Sequence, residues 1–318
     1  MPTIGVPTEK WAGKVREVTL GGGSRKQVVV GGETTLPFLH FEGIIPHAPV
    51  IAIDVEDVTP DGWSPVLEAV WGDVMREGLA AWARKAVDIG ADVVALTLRS
   101  ADPSLGNTGP AEAVEAVKQV LAAVDVPLIV YGPGVAEKDN EVLVAVADAT
   151  AGERLALGLC EEKNYRTIAA TCMANGHLAI AHTPIDINLA KQLNILITDM
   201  ELPSDRILMD PTTGSLGYGL EYVYSVMERL RVAALQGDSM TALPMILNPG
   251  REGWRFKESR TQEGVPAEWG DDLEGRGIAW EATTAIAFLE AGADILVMRH
   301  PKTVELVRGA IANLMTTT

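Results

Sequence analysis

Eight short runs of apolar, β-prone residues recur along the chain, and each is followed by a longer stretch with helical periodicity. The runs cover residues 50–55, 93–98, 128–131, 155–159, 178–181, 207–209, 244–247 and 295–298. They are nearly continuous in apolar character and do not alternate, which predicts strands buried on both faces, as in a parallel sheet. The stretches between them predict helices over residues 65–89, 110–124, 138–149, 165–175, 186–198, 220–235, 280–291 and 301–315. Gly90 and Gly292 fall just past helix ends, where a left-handed cap is expected. Asp186 stands before Ile187 as an N-cap. Eight strand–helix units in a chain of 318 residues predict an α/β fold of the (β/α)8 barrel (TIM barrel) kind. A doubly wound sheet is the rival, disfavoured because eight similar units leave no room for a second domain.

Two regions depart from this repeat. Residues 15–20 and 26–30 alternate apolar and polar positions and are joined by Gly21-Gly22-Gly23, a hairpin signal. Residues 1–47 therefore read as an N-terminal β-hairpin extension, expected to plug the N-terminal mouth of a barrel built from residues 48–318. The second departure is the connection over residues 248–277, rich in Gly, Pro, Trp and charge. Connections longer than about 12–15 residues are usually functional or disordered. With Trp254, Phe256 and Trp269 inside it, this one is expected to be ordered and to pack on something.

Composition narrows the classes of function. Hydrophobic residues make up 47% of the chain, enough for a full core. Acids outnumber bases by 43 to 26, for a net charge of −17, which argues against a nucleic-acid or anionic-membrane surface. No uninterrupted apolar run reaches transmembrane length, and residues 1–14 carry no apolar stretch of a secretory signal. The two cysteines, Cys160 and Cys172, are too few for a disulfide framework or for the four thiolates of an iron–sulfur cluster. A reduced, cytoplasmic protein is expected.

In a barrel, ligand contacts lie just after each strand. Those positions hold Asp54 and Glu56, Thr97 and Arg99, Tyr131 and Gly132, Cys160 and Glu161, His182 and Thr183, Asp210 and Thr213, Asn248 and Arg251, and Arg299 and His300. The ring is polar but contains no coherent catalytic set. No serine has the setting of a nucleophile elbow, and no lysine at a strand end offers a Schiff-base nucleophile. The five histidines lack metal-ligand spacing. His177 and His182 flank one strand and read as ordinary strand-end residues, and Cys172 as core. The most distinctive stretch is residues 210–222, where a strand ends in Asp210-Pro211 and a loop of small residues leads into a helix. Gly214, Gly217 and Gly219 would let a ligand approach the backbone, or simply make a tight turn. The two readings weigh about equally, and the lysine of a phosphate-binding loop is absent.

Several segments together resemble one family, the small subunit of the corrinoid iron–sulfur protein of the reductive acetyl-CoA (Wood–Ljungdahl) pathway. They are residues 35–43 (Thr35-Leu36-Pro37-Phe38-Leu39-His40-Phe41-Glu42-Gly43), residues 184–194 (Pro184-Ile185-Asp186-Ile187-Asn188-Leu189-Ala190-Lys191-Gln192-Leu193-Asn194), the 210–222 loop, Met227-Glu228-Arg229 with Ala234-Leu235-Gln236-Gly237-Asp238, and Met298-Arg299-His300-Pro301. The archaeal counterpart is a subunit of the acetyl-CoA decarbonylase/synthase complex. The resemblance spans essentially the whole chain and implies a barrel like that of pterin-binding methyltransferases. It also implies a heterodimer with a large corrinoid iron–sulfur subunit that carries a [4Fe–4S] cluster and a cobamide. That cobamide takes a methyl group from methyltetrahydrofolate, through a separate methyltetrahydrofolate:corrinoid methyltransferase, and passes it to acetyl-CoA synthase.

By this resemblance the chain is a non-catalytic carrier subunit whose C-terminal barrel face covers a cobamide shared with the large subunit. It holds no iron–sulfur cluster of its own. His40-Phe41-Glu42-Gly43 partly matches a cobalt-ligating D-x-H-x-x-G motif, but Phe38 replaces the aspartate, so no cobalt ligand is expected. The candidate corrin contacts are Thr212, Thr213, Gly214, Gly217, Tyr218, Asn248, Arg251, Trp254, Arg299 and His300. The competing reading is a pterin-dependent methyltransferase, which needs a polar group at the pterin as the methyl leaves. Asp54, Asp186 and Asn188 are its candidates, with Asp186 better explained as a cap. A carbohydrate- or phosphate-metabolising barrel enzyme is a third class, disfavoured by the lack of a strand-end lysine and of metal-ligand spacing.

Overall fold

The computed structural model describes residues 5–316. Residues 1–4 and 317–318, the outer edges of the expected extension and barrel spans, lie outside the described residues. Eight parallel strands close into a barrel: β3 (Val50–Glu56), β4 (Val93–Thr97), β5 (Leu128–Tyr131), β6 (Ala156–Cys160), β7 (Leu178–His182), β8 (Ile207–Asp210), β9 (Met245–Leu247) and β10 (Ala293–Met298), with β10 pairing back onto β3. The predicted barrel is therefore the observed one. Successive side chains of a strand point to opposite faces, so each strand feeds two cores. Ala52, Ala95, Ile129, Ile180, Leu208 and Val297 fill the interior, while Ile51, Ile53, Leu96 and Leu128 pack outward with Trp71, Trp82 and Phe288.

A two-stranded antiparallel sheet, β1 (Val18–Leu20) and β2 (Val28–Val30), pairs Val18 with Val30 across the predicted glycine turn. Val18, Leu20, Val28 and Val30 join the interior core, closing the barrel at the N-terminal ends of its strands. Backbone bonds from Gly21 to Arg154, Lys26 to Asp125 and Arg16 to Ala242 attach it to the loops that precede β6, β5 and β9.

The helices on the outside are α1 (Pro65–Glu77), α2 (Leu79–Ile89), α3 (Pro110–Ala123), α4 (Ala136–Ala149), α5 (Tyr165–Asn175), α6 (Ile187–Asp199), α7 (Leu220–Leu235), α8 (Pro249–Gly253), α9 (Leu273–Glu290) and α10 (Pro301–Leu314). Two differ from expectation. The helix predicted over residues 65–89 is split at Gly78, whose φ of 109° is outside the helical range. The helix predicted to start at residue 280 starts at Leu273, where the Asp272 side chain caps it through the N–H of Gly275. Gly275 and Gly277 made that first turn read as loop. Gly277 is instead required by packing, because a Cβ there would stand 2.3 Å from the Trp254 ring. The remaining connection is ordered, as expected, with α8 and short 3-10 turns at Lys257–Ser259 and Ala267–Trp269. No helix of the described residues is long and apolar enough to cross a membrane.

Candidate functional site

The C-terminal ends of the strands surround a cavity of about 590 Å³, a usual size for a ligand site. One wall is built on β3 and the residue after β10. Arg299, buried, donates from Nε and a terminal nitrogen to Asp54 Oδ2 at 2.9 and 2.6 Å, and to Glu56 Oε1 at 3.1 Å. Its guanidinium lies 4.5 Å from the centre of the Trp63 ring, a cation–π contact. Burial alone would lower the arginine's pKa, but Asp54 and Glu56 outweigh it and hold the guanidinium charged. Two carboxylates thus share one arginine. Glu56 has the poorer share: burial pushes its carboxyl up, Arg299 opposing, and its Oε2 makes no hydrogen bond among the described residues. Arg99 Nε lies 3.6 Å from that oxygen.

The opposite wall is built on β7 and β8, whose register sets His182 beside Asp210. His182 Nδ1 lies 3.1 Å from Asp210 Oδ2, and its Nε2 lies 3.9 Å from Glu161. Burial disfavours the imidazolium, yet Asp210 and Glu161 reverse the balance and raise the pKa. Thr212 follows with φ of 67°, an uncommon conformation for a β-branched residue. Two bonds hold it there: its N–H donates to Asp210 Oδ1 at 3.0 Å and its hydroxyl to the Thr183 carbonyl at 2.6 Å.

The third wall is α8. The Asn248 side chain caps it by accepting from the Arg251 N–H, while the Asn248 N–H donates to Thr213 Oγ1. Arg251 lines the cavity, and its guanidinium makes no hydrogen bond or ion pair among the described residues. Behind this wall, fully buried Glu281 accepts from Trp254 Nε1 and the Arg299 N–H, each at 2.7 Å, and from the His300 N–H at 3.2 Å. One carboxylate therefore positions both Trp254 and Arg299.

Of the sequence-derived candidates, Thr212, Thr213, Asn248, Arg251, Trp254 and Arg299 line the cavity. The other four lie elsewhere. Gly214 turns its missing side chain toward the Gly219 backbone, where a Cβ would meet an atom at 2.8 Å, so its small size serves a turn. Gly217 has φ of 75° in the same turn. Tyr218 stacks on Phe256 with ring centres 3.5 Å apart and donates its hydroxyl to Glu258 on the rim. His300 is buried behind Trp254 and caps α10 through Nδ1, with burial pulling its pKa down to about 4. Arg99, Tyr131, His182 and Asp210 line the cavity without having been among those candidates. All four are strand-end residues; Asp210 also opens the distinctive 210–222 stretch, while position was the only signal for the other three. Among the described residues no group of three or more His, Cys, Asp or Glu is arranged to hold a metal ion. Cys160 and Cys172 are both buried and free.

The architecture is shared with dihydropteroate synthases. The enzyme of Xanthomonas albilineans superposes with a TM-score of 0.58 at 12% identity, covering 89% of this chain and 99% of that one. The enzyme of Coxiella burnetii gives 0.58 at 13%, covering 94% and 98%. At such identity the likeness concerns the fold alone. Sequence relatives are far nearer. The acetyl-CoA decarbonylase/synthase complex subunit delta of Archaeoglobus fulgidus is 40% identical over 314 residues, 94% of this chain and 68% of that protein. The corresponding subunit of Methanothermobacter thermautotrophicus is 37% identical over 304 residues, 95% and 76%. A family model described as the CO dehydrogenase/acetyl-CoA synthase delta subunit matches residues 17–309. From the hairpin to the last helix, this chain belongs to the CO dehydrogenase/acetyl-CoA synthase delta-subunit family.

Proposed function

We propose that this chain is a non-catalytic subunit of a methyl-carrying pair, and that its barrel mouth covers a cobamide held by a large corrinoid iron–sulfur subunit. The observation that carries the reading is a polar mouth on a face whose strand-to-helix connections leave apolar side chains exposed. Val58, Leu105, Val135, Ile185, Tyr218 and Trp269 come from six different strand-to-helix connections, and every one is exposed. A partner that covers the mouth would cover these side chains with it.

The residues of the mouth fit a cobamide. Its peripheral amides both donate and accept, and the mouth offers the unpaired Arg251 guanidinium as donor and Asp210 as acceptor. Behind the lining, Glu56 Oε2 and Thr183 Oγ1 are buried oxygens without a hydrogen-bond partner among the described residues. When bound, the cobamide supplies the methyl-carrying chemistry, receiving the group from methyltetrahydrofolate through a separate methyltransferase and giving it up to acetyl-CoA synthase. The chain's own part is to bind and orient: Arg251 and Asn248 engage ring amides, Trp254 and Trp63 form apolar walls, and the covered mouth excludes water.

The test is reconstitution with the large subunit. A one-to-one complex that carries the corrinoid, with a colourless barrel subunit on its own, is the expected result. Appreciable methyl transfer from methyltetrahydrofolate to free cobalamin by this chain alone would overturn the proposal in favour of a pterin-dependent methyltransferase.

A further inference from the structure

At the opposite end of the barrel from the mouth, a separate cavity of about 470 Å³ lies between the N-terminal extension and the connection from α7 to β9. Residues 13–16, which lead into β1, are pinned across it: the Gly13 N–H donates to the Leu235 carbonyl at 2.7 Å and the Arg16 N–H to the Ala242 carbonyl at 2.9 Å. A Cβ at Gly13 would overlap the Ala234 carbonyl oxygen, so the chain passes the end of α7 at backbone distance. Lys14 and Arg16 both line the cavity, and neither side chain makes a hydrogen bond or ion pair among the described residues. Arg16 is the unusual one. Its Nε is buried, the only arginine or lysine nitrogen among the described residues that is buried without a partner. Buried donors are ordinarily hydrogen-bonded, and leaving a charged one unsatisfied is the costlier case. The acids nearby do not serve it. Asp238 accepts from Lys191 and from the Met240 N–H, Glu17 packs on Gly32 with its carboxylate 3.9 Å from His47, and Asp205 is exposed.

We propose that this cavity is a binding site for a small phosphate monoester with a hydroxyl-bearing body, independent of the mouth and of the cobamide reading. A guanidinium presents a planar fork of donors that matches phosphate oxygens, and an ammonium adds a point charge. Arg16 and Lys14 together match the two charges of a monoester. The Ser239 hydroxyl and the carboxylates of Glu17 and Asp205, which line the same cavity, are acceptors for the hydroxyls of the body. The volume lies within the ordinary range of small-molecule sites. The N-terminal face of a barrel normally serves stability rather than chemistry, so the site binds without catalysing.

The test is calorimetric titration of the full chain with ribose 5-phosphate and with inorganic phosphate, at about 0.15 M salt so that unspecific attraction is screened. Saturable one-to-one binding is expected, tighter for the sugar phosphate than for phosphate alone. Arg16→Gln should weaken it about tenfold or more, since a hydrogen bond to a charged group is worth at least that factor. Arg16→Lys keeps the charge and loses the fork, and should fall between the two. Lys14→Gln should weaken binding by less than Arg16→Gln. Thermal unfolding without ligand is the control for folding: Arg16→Gln removes an unpartnered cation and should not lower the melting temperature, while added ribose 5-phosphate should raise that of the unaltered chain and not that of the variant. No saturable binding of either probe at millimolar concentration would overturn the proposal. Binding that survives Arg16→Gln and is lost in Arg251→Gln would move the phosphate to the mouth and overturn it as well.

Discussion

Arg299 is shared between two buried carboxylates, and that ratio governs how each residue of the mouth responds to substitution. Arg299→Met would leave Asp54 and Glu56 buried side by side. Breaking a buried ion pair by removing one partner costs about 3–5 kcal/mol. Chemical denaturation at neutral pH should show a loss of that size, shrinking as the pH falls and the two carboxyls take up protons. Across the mouth, Asp210 is the first of the two charges that raise the His182 pKa against burial. In Asp210→Asn the imidazole should titrate at lower pH than in the unaltered chain, a shift readable by NMR. An unchanged titration would mean that Glu161 alone sustains it.

At the scale of elements, the site depends on helices meeting in ways their own sequences do not announce. Trp254, just after α8, lies against Gly277 in the first turns of α9, while Glu281 one turn further on fixes the indole N–H. Gly277→Ala would drive a methyl group into the ring. Overpacking of this kind costs about 1–3 kcal/mol, and the Trp254 wall should shift with it. A lower melting temperature together with altered tryptophan emission is the expected result. The same contact explains why the start of α9 was not legible in the sequence. Two glycines in three residues read as a loop, and only the ring packed against one of them gives the helix its reason.

At the scale of the whole molecule, the N-terminal extension meets the barrel at a buried cluster of titratable groups as well as through the hairpin. Arg231 of α7 lies 2.8 Å from Asp294 of β10 and 3.5 Å from Glu33, which follows the hairpin. Burial, reinforced by Asp294 and opposed by Arg231, raises the Glu33 pKa to about 8. A carboxyl with a raised pKa in the folded state stabilises fully below its unfolded value of 4.5, and that contribution is lost as the pH rises toward 8. Unfolding free energy measured across this window should therefore carry a falling component with increasing pH, and Glu33→Gln should flatten it. An identical slope in the variant would show that Glu33 does not set it.

The alternation of apolar runs and helical stretches determined the barrel by itself, because burial on both faces and helical periodicity are local properties written along the chain. The glycine turn of the hairpin and the Asp186 cap were legible for the same reason. Strand-end position also brought six of the ten candidate contacts to the cavity. What only the tertiary structure decided is which way a strand-end loop turns and what it meets. The loop from Gly214 to Tyr218 folds back onto its own backbone and onto Phe256, so its glycines serve a turn. Arg299 finds Asp54 across 245 positions of sequence, and His182 meets Asp210 only through the pairing of β7 with β8. Closing the barrel brings these distant ends into one ring, and charge and packing within the ring then select the side chains that face the cavity.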